Sequence, residues 1–411
     1  MANLLIIGAG GVGRVAAFKG AQYDGFFDTI CLASRSMEKG CKIQEEIGSS
    51  IEVEQLDADD GKEVEKLIRK YQADVVINAA LPYQNLKIME ACLAKGAHYI
   101  DTAVCETADE LWHDPHDRYW YGLQWNYRQV FADRGLTAIL GIGSDPGIVN
   151  AFCSYADKEL FDEILAIDIL DVNAGNHDLP FATNFNSEIN LRELQNPSYF
   201  WEHGAWKKVE PFSTSREFLF PEIGTRTVFS VDHDEIHSLY KHFPGAEHIR
   251  FWMGFRPQFI DYFNKLSEIG LLSIDPVEVE TEGDGKKKVK PLKFLKEVLP
   301  DPASLGKSYR GKVCIGCLIK GRKDSREQTV FIYNLCDHQA SFRQTGAQAI
   351  SFAAGVPPVI AAILLIRGEW HQPGVYNVEQ LDPYPFMDLL PQFDLPWEVR
   401  LERSLQGLQP I

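Results

Sequence analysis

The chain opens on the apolar run LLII at 4–7, which stops abruptly against GAGGVG. From there to about residue 143, short apolar runs alternate with longer stretches whose apolar residues recur at three- and four-residue spacing. The runs at 4–7, 29–33, 51–56, 75–79, 99–102 and 137–140 have the length and continuity of strands buried on both faces. The intervening KEVEKLIRKYQ from Lys62 and NLKIMEACLAKG from Asn85 carry the helical period, and Gly96 marks the end of the second. Strand and helix in alternation predict βαβ units and a doubly wound parallel sheet, an α/β fold.

After Asn150 the rhythm changes. LAIDILDVNA from Leu165, RTVFSVD from Arg226, IRFWMGF from Ile249 and QTVFIYNL from Gln328 are strand-like and separated by irregular, aromatic-rich segments. They predict an inserted α+β domain with a mostly antiparallel sheet. VEVETEGDGKKKVKPLKF from Val277 reads as an exposed hairpin with its tip at Gly283 to Gly285 and its lysines on a solvated face. Beyond Gly346 come a long apolar helix and a Pro-rich tail. That helix needs a broad partner, and one face of the first sheet is available. The expected organisation is a cofactor-binding domain at 1–147 completed by 342–411, with a substrate domain at 148–341.

Length and charge narrow the class. At 411 residues, 45% hydrophobic, two domains are expected. Lys plus Arg number 41 against 58 Asp plus Glu, and the net charge of -17 argues against nucleic acid. The N-terminus carries no basic segment ahead of its short apolar run. The longest apolar stretch, FAAGVPPVIAAILLI from Phe352, is interrupted by Pro357 and Pro358 and is too short to span a bilayer. A cytoplasmic protein with no membrane partner is the expectation. Eight scattered cysteines form no disulfide framework. Cys314 and Cys317, in VCIGCLIKG, lie on a predicted strand, where positions three apart face opposite ways, so they suit burial better than a shared metal. No metal site is expected.

The glycine cluster is the first sign of chemistry. Gly8, Gly10 and Gly13 fit GxGxxG directly after a strand and opening a helix, in the Rossmann-type context that gives the motif its meaning. The first glycine permits the turn, the second the approach of a pyrophosphate, and the third close packing of helix on strand. Ala9, Gly11 and Val12 complete the loop. The second strand ends in Ser34 and Arg35 where an Asp or Glu would read a ribose hydroxyl. A hydroxyl and a guanidinium suit a 2′-phosphate, which predicts NADP(H). Asp57 and Ala58 end the third strand, where Asp57 either reaches the adenine or caps the next helix. Ala79, Ala80 and Leu81 end the fourth strand and Thr102 and Ala103 the fifth, all facing the same crevice.

Together GAGGVG, LASRS, LDADD, DTA at 101–103 and GSDPGIVN at 143–150 resemble the saccharopine-dehydrogenase-like reductases. ILDVNAG, PFATNFNSEINLRE, LPDPASLG, YNLCDHQ and LPWEV extend the resemblance to nearly the whole chain. It is strongest to a polyamine-forming branch. The resemblance implies NADPH-dependent reductive condensation of L-aspartate β-semialdehyde with a diamine, 1,3-diaminopropane or putrescine, through an imine. It also implies a homodimer. Rival readings are a saccharopine reductase-type enzyme using another amine, and a non-catalytic NADP-binding regulator.

In that family the turn Ser144, Asp145, Pro146 meets nicotinamide and substrate. Asp145 is the leading candidate to accept a proton or stabilise an iminium, with capping of the following helix as the equal alternative. A second cluster follows the strand from Leu165: Asn173, His177, Asp178, Thr183, Asn184, Asn186, Glu188 and Asn190. Its amides suit an amino-acid substrate, Glu188 could pair with an ammonium, and His177 is a candidate acid or base. Asp337 and His338 form a weaker pair. The segment 173–190 carries Asp178 and Glu188 but no Arg or Lys, which favours a diamine over a second dicarboxylate.

Overall fold

A computed structural model describes residues 2–23, 25–48, 50–106, 120–281, 285–402 and 409–410. The first sheet contains β1 (Ala2–Ile7), β2 (Phe27–Ser34), β3 (Glu52–Gln55), β4 (Val75–Asn78), β5 (His98–Asp101) and β6 (Thr137–Leu140). A seventh strand, Gly374–Asn377, joins beside β6, and every pairing is parallel. β1 lies between β2 and β4, so the strand order reverses there and a crevice opens at the carboxyl ends. The apolar runs were continuous because helices cover both faces: Leu5, Ile6, Val76 and Ile77 are fully buried.

The second sheet runs in the order Trp397–Glu402, Arg326–Asp337, Lys312–Lys323, Glu163–Asn173, His248–Gly254, Gly224–Val231, Ser215–Phe220, Gln409–Pro410. It is antiparallel except where Glu163–Asn173 pairs with His248–Gly254. Cys314 and Cys317 belong to the cores on its two opposite faces, and both are buried. The hairpin pairs Val277–Thr281 with Gly285–Val289, while the tip residues Gly283 and Asp284 lie outside the described residues.

The apolar stretch near the C-terminus forms one helix, Ala349–Ile366, that runs straight through Pro357 and Pro358 rather than being broken by them. It is long and apolar enough to cross a membrane, yet 83% of it is buried within the protein, as in a core helix. Full burial of Ile360, Ile363 and Leu364 stabilises this docking by ~1.5–3 kcal/mol per side chain. It packs on the helix Gly11–Gln22. Gly355 lies so close that a Cβ there would be 2.6 Å from that of Val15, so the contact needs a glycine. Lys19, with no exposed surface, reaches from the same helix to Asp394 at 2.7 Å and Gln344 at 3.0 Å. The tail then leaves the first sheet: Trp397–Glu402 pairs with Arg326–Asp337 in the second.

Candidate active site

The crevice at the switch point continues into a cleft of about 820 Å³ between the two sheets. Its first half is built by the glycine loop. Gly8 has φ +116°, and a Cβ there would be 2.5 Å from the Ala79 carbonyl oxygen. A Cβ on Gly13 would come within 1.7 Å of the Gly8 carbonyl oxygen, so Gly13 packs inside and does not line the cleft. At Gly10 a Cβ would meet no protein atom within 4 Å. That face is open to a ligand, and Gly10 begins the helix Gly11–Gln22 with no side chain over its first N–H groups. A dinucleotide pyrophosphate fits this geometry.

Ala9, Gly11, Val12, Ser34, Arg35, Asp57, Ala58, Ala79, Ala80, Leu81, Thr102, Ala103, Ser144, Asp145 and Pro146 line the same cleft. Ser36 and Lys39 stand beside Arg35, and Lys39 bridges to Asp301 at 2.8 Å. Asp57 does not cap the following helix: Asp60 does, accepting from the Lys62 amide, while Asp57 accepts from the Asp59 amide. Asp145 is not a cap either. The helix Ile148–Tyr155 starts at Gly147, whose amide donates to Asn150 Oδ1 at 2.9 Å. Asp145 is left facing the cleft.

The predicted polar segment forms one wall. Asn173, His177, Asn184, Asn186 and Asn190 line the cleft, but Asp178, Thr183 and Glu188 do not. Asn173 donates to Asn184 Oδ1 at 3.1 Å and to the Tyr309 hydroxyl at 2.5 Å, and Tyr309 stacks on His338 at 3.7 Å. Asn186 caps the helix Ser187–Glu193 by accepting from the Glu188 and Ile189 amides. Glu188 is buried, with its carboxylate 3.5 Å from Lys296. His177 sits 3.2 Å from the Arg256 guanidinium. Burial and that cation hold its pKa below the ordinary histidine value, so it is poorly placed to carry a proton. His338 is buried too, and burial lowers it to about 4. Asp337 caps the helix His338–Thr345. Asp101 is buried beneath the cleft, accepting from the Gly141 amide and Gln124.

Another part of the lining is acidic, and the sequence patterns pointed to little of it. Asp145, Asp171, Glu193, Asp232, His233 and Asp234 line it, with Glu106 beside them. His237 bonds Asp232 at 2.8 Å from behind, and His233 lies at the centre of this group. Its Nδ1 is 2.5 Å from Glu235 Oε2 and its Nε2 3.3 Å from Glu193 Oε1, and its ring stacks on Phe251 at 4.1 Å. Burial opposes the charge, but Glu235 and Glu193 outweigh it and hold His233 well above the ordinary histidine range. Burial pushes Glu193 up to about 8 and Asp171 up to about 7. Burial and the neighbouring Asp171 raise Asp145 well above the usual carboxylate range. Asp171 Oδ1 is buried with no hydrogen-bond partner. Asp234 Oδ2 accepts from the Val104 amide at 2.8 Å, which fixes this wall to the loop after β5. Carboxylates that burial pushes toward the protonated form, with other acids beside them, are stabilised as anions by a cation brought among them.

The signals for this wall were faint. DHDE at 232–235 is an unusually charged strand end, and Asp171 is an acid inside an otherwise apolar strand. Arg192, Arg256 and Lys296 also line the cleft, the first two as its guanidinium groups beyond Arg35.

Comparison with known proteins identifies the family. The saccharopine dehydrogenase NADP-binding domain matches residues 4–139, and the saccharopine dehydrogenase C-terminal domain matches 143–393. A carboxynorspermidine synthase from Vibrio cholerae is 45% identical over the full length of both chains. A carboxyaminopropylagmatine dehydrogenase from Synechocystis is 45% identical over 97% of each. Saccharopine dehydrogenase from Saccharomyces cerevisiae shares the fold at 14% identity, with a TM-score of 0.73 over 98% of this chain and 100% of the yeast chain. This chain therefore belongs to the saccharopine dehydrogenase family, as an oxidoreductase that uses NADP(H).

Proposed function

We propose that this protein condenses L-aspartate 4-semialdehyde with an aliphatic diamine, 1,3-diaminopropane or putrescine, and reduces the resulting imine to carboxynorspermidine or carboxyspermidine. The acidic wall around Asp145, Asp171 and Glu193 carries this reading, because an iminium and a distal ammonium both need anionic partners there. A second dicarboxylate would need the reverse. Arg256 and Arg192, with the amides of Asn184 and Asn190, suit the amino-acid end of the semialdehyde. Bound NADPH supplies the hydride for the imine carbon. Asp145 and Asp171 stabilise the cationic carbon–nitrogen double bond while it waits for reduction. In this reading the cofactor unit is 1–147 with the returning helix Ala349–Ile366, and the substrate unit lies within 148–341.

The relatives' names support the reaction class and leave the amine to be tested. NADPH oxidation with the semialdehyde is followed against 1,3-diaminopropane, putrescine, agmatine and glutamate. Turnover with a diamine is expected. Turnover with glutamate alone assigns the enzyme to the saccharopine type, and turnover with agmatine alone assigns it a guanidinium-bearing amine.

A further inference from the structure

We propose that His233 is the acid–base group of imine formation, moving the protons that let the amine add to the aldehyde and water depart. The inference rests on the proposed reaction and adds a role for a residue in it. Joining an ammonium to an aldehyde requires one group that both takes and gives a proton beside the carbinolamine. Four imidazoles stand near the cleft, and one of them, His237, lies behind its wall, held by Asp232 at 2.8 Å and stacked on Trp120. His177 faces the Arg256 guanidinium, and His338 is spent on Asn173 Oδ1 at 3.0 Å and the Ala349 amide at 3.1 Å. His233 alone has a carboxylate at each nitrogen. Glu235, with no exposed surface, fixes Nδ1, and the stack on Phe251 fixes the ring plane. Nε2 is thereby directed toward Glu193 at the cleft wall. The groups facing His233 are Glu193 from the helix Ser187–Glu193, Asp145 from the turn after β6, Asp171 from the strand Glu163–Asn173, and Asp232, Asp234 and Glu235 from its own turn. All are acids, so the imidazolium is the resting form.

The proton count closes on these two residues. With Glu193 ionised, as it becomes toward pH 8, its carboxylate takes a proton from the incoming ammonium, and the amine nitrogen bonds to the aldehyde carbon. His233 protonates the resulting alkoxide oxygen and then takes a proton from the nitrogen, giving the neutral carbinolamine. His233 returns that proton to the hydroxyl, the carbon–oxygen bond breaks, water leaves, and the nitrogen lone pair forms the cationic C=N bond. The proton on Glu193 passes across the 3.3 Å contact to His233, restoring both. Aldehyde plus ammonium have become iminium plus water, with no proton gained or lost.

The test uses His233→Asn and His233→Gln in the full chain, with NADPH carrying deuterium at the transferred position. Expected is a fall in kcat of ~100-fold or more, an isotope effect on kcat that collapses toward unity because imine formation has become limiting, and NADPH affinity within ~3-fold of wild type. Added imidazole should restore part of the His233→Asn rate. A loss under ~5-fold, or a large loss in which the isotope effect persists undiminished, overturns the inference. If neither variant binds NADPH, Glu235→Gln decides: its pH profile should lose the alkaline shoulder that an imidazolium held by two carboxylates produces, and an unmoved profile overturns the assignment. Failure of the wild-type enzyme to consume NADPH with any amine would instead sink the underlying reaction and this role with it.

Discussion

Replacing Arg35 tests the cofactor half of the cleft. Arg35 is exposed at the end of β2 and lines the crevice, with its carbonyl accepting from Gln55 Nε2 at 3.3 Å. The loop is therefore braced without the guanidinium. A hydrogen bond to a charged group is worth ~1.5–3 kcal/mol, which is roughly 10- to 150-fold in affinity. Lys39 moderates the loss. Its pair with Asp301 joins side chains 56% and 50% exposed, and such pairs contribute only ~0–1 kcal/mol, so a 2′-phosphate can recruit Lys39 cheaply. Arg35→Ala should thus weaken NADPH by roughly 10- to 30-fold, and the double variant with Lys39→Ala should lose more than either single change. NADH, without the phosphate, should move by under ~2-fold. Nicotinamide fluorescence titration reads all of these without depending on the substrate, and the NADPH advantage should shrink as salt rises. An Arg35→Ala variant whose NADPH-to-NADH affinity ratio matches wild type refutes phosphate reading by this residue.

Three further outcomes follow from other parts of the molecule. Gly10→Ala should keep the melting temperature and lose NADPH affinity, whereas Gly13→Ala, with its Cβ at 1.7 Å from the Gly8 carbonyl oxygen, should unfold the loop; thermal melts with and without NADPH separate the two. Asp394→Ala should cost ~3 kcal/mol by stranding the buried Lys19 charge, while Lys19→Met leaves only a half-exposed carboxylate and should cost less; urea midpoints give the order, and equal costs would contradict it. Glu193 at about 8 and Asp171 at about 7 are raised above their unfolded values, so the folded apo protein binds more protons than the unfolded chain and its stability should fall as pH rises through 5 to 8. Diamine binding should reverse that loss and release about one proton near pH 7, measured by titration calorimetry in buffers of different ionisation enthalpy.

Legibility in the sequence followed the range of the interactions involved. β1 to β6 could be read because a parallel sheet covered on both faces needs unbroken apolar runs, and the glycine loop because its three glycines act within one turn. The acidic wall could not, since Asp145, Asp171, Glu193 and His233 come from four separated segments. They are the turn after β6, the strand Glu163–Asn173, the helix Ser187–Glu193 and the turn after Gly224–Val231, which meet only in the folded chain. Glu188 and Glu193 show the difficulty within a single helix. They lie five residues apart on Ser187–Glu193, hence about 140° apart around the axis, and composition says that an acid is present without saying which side faces the cleft. The structure turns Glu188 to Lys296 and Glu193 to His233. In LDADD the fall of the capping role on Asp60 rather than Asp57 is the same kind of choice, settled by where the helix begins.

The acidic wall also violates the rule that makes the rest of the fold stable. Asp168, by contrast, is buried with both oxygens engaged, by His248 and by Trp252, and its pKa lies below the usual carboxylate value. At the wall, acids outnumber bases, and burial, with like-charged neighbours beside it, pushes Asp145, Asp171 and Glu193 toward their protonated forms. A folded protein gains no stability from such an arrangement, and hydrophobic residues would pack there more favourably. What the arrangement offers is a place where a cation is more stable than in water. The same cleft also presents Arg256 and amides, so under the proposed reaction the carboxylate of the aldehyde and the incoming ammonium find different partners in it. The destabilised apo wall and the orientation of the two substrates are thus consequences of one charge distribution, and a variant that relieves the first, such as Asp171→Asn, should impair the second.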